Sequence, residues 1–68
     1  MVLELETELK QLNEENELRK SQVEKFRSLL GQDLQHEKKY HARIKVNTEQ
    51  IEKNNIRIET IENILLDK

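Results

Sequence analysis

Of the 68 residues, 38% are charged and 34% hydrophobic, with one Gly and no Pro, Trp or Cys. A chain this polar, with almost nothing to turn a corner, excludes a conventional globular domain of packed layers. Its 12 basic side chains nearly cancel 14 acidic ones, for a net charge of −2, which argues against charge-driven disorder and against nucleic acid or an anionic membrane as the main partner.

The predicted structure is all-α: one continuous helix over 1–68, pairing as a left-handed coiled coil. With Val2 as position a of a heptad, the a positions are Val2, Leu9, Asn16, Val23, Leu30, Glu37, Ile44, Ile51, Ile58 and Leu65. The d positions are Leu5, Leu12, Arg19, Phe26, Asp33, Tyr40, Asn47, Asn54, Ile61 and Lys68. Thirteen of these 20 are apolar, against 10 of the other 48, in one register from end to end. A stripe repeating every 3.5 residues drifts around a helix that turns every 3.6, and supercoiling keeps it facing a partner. One helix has no second layer to cover such a seam, so these positions are the expected oligomer interface. A straight helix of this length spans about 100 Å.

In the first thirty residues, Leu5, Leu9, Leu12, Asn16, Val23 and Leu30 stand in zipper order. An Asn buried at a single a position fixes register and favours two strands, because two amides can bond each other. This layout resembles a leucine zipper, and the resemblance implies a two-stranded coil. Arg19 departs from it at a d position where Leu is the rule, and within this chain no basic DNA-contacting stretch stands before Val2.

The centre is a polar weak point or hinge around 31–37. Gly31 is the one helix-breaking signal, with Asp33 able to cap a new helix, so a hairpin turning there is the alternative to a rod. The rod is preferred. Gly31 occupies an exposed b position, a Gly within a helix costs only about 1 kcal/mol relative to Ala, and the heptad keeps its phase across it, which a loop has no need to do. In a homodimer Asp33 at d and Glu37 at a face their own copies, and burial beside like charge raises carboxylate pKa values. On that premise assembly strengthens towards pH 5, with charging of His36 and His41 opposing it. Leu29 and Leu34 flank the seam here and, with Ile64 and Leu66, form a candidate second interface. His36 and His41 are five residues apart, about 140° around a helix, so one chain cannot offer them to a metal as an i, i+4 pair does.

In the second half Ile44, Ile51 and Ile58 hold a positions while Asn47 and Asn54 hold d positions. The run Asn47-Thr48-Glu49-Gln50-Ile51 resembles the Asn-at-d layers of trimeric autotransporter adhesin stalks, which implies a trimer with an anion held among its amides. The likeness covers one heptad; the next has Asn55 where Thr would follow. Ordinary polar layers of a coiled coil account for the same residues.

In a parallel pair each g residue meets the e residue five positions on. Glu15–Lys20 and Arg57–Glu62 attract, Leu29–Leu34 is apolar, and no pair sets formal like charges together, so a parallel in-register homodimer is preferred. The Ile/Asn half and the flanking apolar residues allow a trimer or tetramer. The full-overlap antiparallel stagger sets Asn16 against Asn54, which is favourable, and Asp33 against Glu37, which is not. The expected partner is therefore the chain itself, with a basic helix over the central carboxylates as the alternative, and no nucleic acid or membrane. No thiols, phosphate-binding Gly loop or concave pocket point to chemistry, so no enzyme activity, metal or cofactor is expected. The expected function is a structural oligomerisation segment cut from a longer scaffold or cytoskeletal-type protein, tethering or spacing its neighbours. The alternative is a helix-docking module that recruits a different helix through 29–37. The absence of Cys and the acidic start (Glu4, Glu6, Glu8) fit a cytoplasmic or cytoskeleton-associated location.

Overall fold

The computed structural model describes residues 2–67. Helix α1 covers Val2–Leu30, a 3-10 turn covers Leu34–His36, and helix α2 covers Glu37–Leu66. Among the described residues only Gly31, Gln32, Asp33 and Asp67 lie outside these elements, and none is in a strand. The fold is all-α, but the expected single helix is overturned. The chain bends back on itself, and its helices run side by side in opposite directions. Its long axis is 52 Å, about half the span of a straight rod. Lys68, assigned to a d position, lies outside the described residues.

The bend is built from local hydrogen bonds. Gly31 N donates to Ser28 O at 3.2 Å, and Gln32 N and Asp33 N both donate to Leu29 O, at 3.0 and 2.8 Å. These bonds satisfy carbonyls that a helix end would leave open. No described residue takes a positive φ, so Gly31 supplies no left-handed cap. Helix formation restarts at Asp33, whose extended backbone (φ −132°) lets its carboxylate accept from Gln35 N at 3.1 Å. Glu37 then falls in the first turn of α2, where the helix dipole favours negative charge.

Two physical reasons favour this bend over the rod. Asp33 and Glu37, which a straight dimer sets against like charge, are instead used to start helices. The second reason is concentration. A short connection presents α2 to α1 at a millimolar effective concentration, and separate chains in dilute solution cannot match that.

The helices meet along their a and d positions. Val23 and Ile61 are buried, while Leu5, Leu9, Leu12, Phe26, Leu30, Tyr40, Ile44, Ile51, Ile58 and Leu65 are half-buried. Val2 and Glu37 are the described a and d residues left exposed. Phe26 and Tyr40 stack with ring centroids 5.8 Å apart and close the seam beside the turn. Two helices shield only one stripe of each other, which is why most of the seam stays half-covered.

Ile61 is fully buried and Ile56 is 67% exposed, which gives a matched pair of substitutions. Ile61→Val removes one buried methyl group and should cost about 1 kcal/mol, lowering the melting midpoint by about 4–8 °C in a chain of this size. Ile56→Val should leave the midpoint unchanged. An unchanged midpoint for Ile61→Val in calorimetry would place Ile61 outside the core.

Candidate interaction surface

The centre of the seam is an amide layer. Gln50 Nε2 donates to Asn54 Oδ1 (2.9 Å), Asn54 Nδ2 to Asn16 Oδ1 (3.0 Å), and Asn16 Nδ2 to Asn55 Oδ1 (3.0 Å). Asn16 and Asn54 are each only 4% exposed, and no buried side-chain polar atom among the described residues lacks a partner. Asn16 thus finds Asn54 of its own chain, where a copy of itself was expected. One layer on, Arg19 Nη1 donates to Asn47 Oδ1 at 2.9 Å while Arg19 Nε reaches Glu15 at 2.9 Å. This explains the Arg at a d position: its stem fills the seam and its head bonds across and along the helices.

Charge closes one flank. Arg57 and Glu8, both g residues, form a two-pronged pair across the helices, with Nη2 to Oε1 at 3.0 Å. The hydrogen bonds from Arg57 hold the Glu8 carboxyl below its usual range, and Glu8 in turn raises Arg57. Glu15 and Arg57, assigned to e residues of a parallel partner, instead bond within this chain.

Asp33 fastens the turn. Its Oδ2 lies 2.8 Å from His36 Nδ1 and accepts from the Tyr40 hydroxyl at 3.1 Å, while Oδ1 takes the Gln35 N–H. The His36 bond, joined by those from Tyr40 and Gln35, holds the Asp33 carboxyl below its usual range. Partial burial, then the hydrogen bond to Asp33 and its charge, raise the Tyr40 hydroxyl. His41 Nε2 lies 3.5 Å from Glu37 Oε1. The two histidines therefore face carboxylates of their own chain and not each other.

The residues assigned to a second interface do not form one surface. Leu29 is half-buried near the turn and Leu34 beside it is 77% exposed, whereas Ile64 and Leu66 sit at the open end, a hairpin's length away. Leu3, Leu18, Val46 and Ile56 are more than half exposed, and sequence reasoning passed over them; they stand at b, c and f positions, away from the seam. It also passed over Glu8 with Arg57 as a pair, and Asn55 as a partner of Asn16. The signal was available: opposite charges at two g positions about equally far from the chain centre mark an antiparallel pair. A shallow recess beside the seam is lined by Val23, Ile51, Lys20, Glu24, Arg27 and Thr48.

No family model, curated protein or solved structure matches the chain. The helices, their seam and their outward faces are therefore the basis for a functional reading. Among the described residues no three His, Cys, Asp or Glu side chains gather as a metal would need, and no helix is long and apolar enough to cross a membrane.

Acid response follows from Asp33 and Glu8. A carboxyl whose folded pKa lies below its unfolded value gives its full stabilisation above about pH 4 and loses it as pH falls through the folded value. The strengthening expected near pH 5 required Asp33 and Glu37 to be buried against copies. Here Asp33 is held in its charged form and Glu37 is exposed, so the direction reverses. The melting midpoint should fall between about pH 5 and about pH 3, and fall less in Asp33→Asn. Identical acid profiles for the two chains would remove Asp33 from the turn's stability.

Proposed function

We propose that this chain is a structural oligomerisation element, a coiled-coil hairpin that completes its packing against further helices and so tethers or spaces parts of a larger assembly. The surface area carries the reading. The chain exposes 5494 Å², whereas a compact protein of 8.2 kDa exposes about 4,500 Å². The surplus, about 1,000 Å², is comparable to the roughly 800 Å² that one partner contributes to a standard interface. The radius of gyration agrees: 15.5 Å against about 11 Å for a compact domain of this length.

The seam's chemistry supports the same reading. Its amide layer gives up apolar contact to fix one alignment of the helices. Alignment matters most in an element whose job is to place what it is attached to.

Sedimentation equilibrium from about 10 µM to about 1 mM, the range approaching the hairpin's own effective concentration, tests it. The expected mass rises above 8.2 kDa towards a multiple of it. Ile51→Asp, a charge set into the seam, should lower helicity and return the monomer mass. A native chain that stays at the monomer mass throughout, with a melting midpoint independent of concentration, would sink the oligomerisation reading.

A further inference from the structure

Resting on the oligomerisation part of that reading and not on the surplus surface, which exchange leaves as exposed as in the hairpin, we infer that the partner is a second copy and that the two copies exchange α2. Residues 31–36 straighten, each chain becomes one continuous helix, and the two pair antiparallel along the seam that the hairpin closes on itself.

Four observations converge on this. First, the cross-helix pairs share a centre. The midpoints of Glu8–Arg57, Asn16–Asn54, Arg19–Asn47 and Phe26–Tyr40 all fall between residues 32 and 36, in the turn itself. A two-fold axis through the turn therefore lets an antiparallel dimer make every one of these contacts twice and lose none, the condition under which exchange is a low-cost route to a dimer.

Second, the heptad does not register the bend. Leu30, Glu37 and Ile44 are seven residues apart although the turn lies between them. A hairpin does not need that phase; a helix running straight through does.

Third, nothing in the turn's backbone forbids straightening. No described residue has a positive φ, the chain has no Pro, and a Cβ on Gly31 would meet only Ser28 O, at 3.6 Å. The side-chain fastening is Asp33 with His36 and Tyr40.

Fourth, Leu34 is 77% exposed in the hairpin. It holds an e position, and e residues flank e residues in antiparallel pairs. On the two-fold axis Leu34 meets Leu34 of the other copy, cover that the closed hairpin cannot provide. Against exchange, the same axis brings Asp33 beside Glu37 of the other copy. With the millimolar effective concentration of α2, that repulsion keeps the hairpin ahead in dilute solution.

The test uses spin labels at Lys20→Cys and Thr48→Cys, in a chain with no native Cys. The closed hairpin sets the two labels across the seam, about 10–20 Å apart. A straight helix sets them 28 residues, or about 42 Å, apart. Labelled chain diluted into unlabelled chain reports only distances within one chain. We expect a population at about 42 Å that grows with dimer mass as concentration approaches about 1 mM. Gly31→Ala should move this growth to about thirtyfold lower concentration, because one helical Gly is replaced in each of two chains. Asp33→Ala should shift it the same way. Inserting Gly-Asn-Gly after Gln32 breaks the phase and should abolish the long distance while keeping the short one. Chains labelled at Lys20→Cys alone should read about 42 Å between copies.

Dimers that show only the short intrachain distance would overturn exchange while leaving oligomerisation standing. A short Lys20-to-Lys20 distance between copies would overturn it in favour of parallel pairing. A chain monomeric at every concentration would overturn exchange and oligomerisation together.

Discussion

A stripe of apolar side chains about one residue wide cannot be taken out of water by the helix that carries it. Every feature of this molecule answers to that constraint. The stripe needs a second helix, the chain has almost no means of building any other kind of layer, and the nearest available helix is its own other half. Folding back costs a short turn. Recruiting a second chain costs the freedom of a whole molecule, of order several kcal/mol at ordinary concentrations. The hairpin is thus the local solution to a problem that the sequence states in a form open to several solutions.

The element type and the positions that line the seam were legible because they depend on spacing. All described a and d residues except Val2 and Glu37 are at least half-buried between the helices. The bend was not legible from spacing, because the heptad keeps its count across it. Gly31 and Asp33 were visible as a break and a cap, yet each is weak alone, and the advantage of an intramolecular partner is written in no residue. What could have tipped the balance is the charge pattern. A straight homodimer faces Asp33 and Glu37 with like charge, and the bend turns both into favourable groups: Asp33 as the cap of the turn, Glu37 in the first turn of α2.

The polar seam residues were legible one at a time but not as partners. Asn16 reads naturally as a residue that meets its own copy, and Asn54 as one layer of a different assembly. In the structure they are a single site, joined by Gln50 and Asn55. The full-overlap antiparallel stagger sets Asn16 against Asn54, so the pairing is legible in the sequence. The electrostatics of g and e residues point instead to a parallel pair, but their energies are small at exposed positions.

The amide layer also explains why the helices settle in one alignment. Sliding α2 by one heptad still sets some apolar residues on apolar residues, Leu12 on Leu65 one way or Leu5 on Ile58 the other, so burial alone distinguishes the alternatives only in part. Slid one way, Asn16 faces Ile61 and Asn54 faces Val23. Slid the other way, Asn16 finds Asn47 but Asn54 is left against Leu9, and Glu8 loses Arg57 for Gln50. Each buried amide without a partner costs about 1–3 kcal/mol, more than any exposed ion pair returns. A polar pair at the centre of a largely apolar seam therefore selects register more sharply than the apolar residues do alone, whether the second helix comes from the same chain or from another copy.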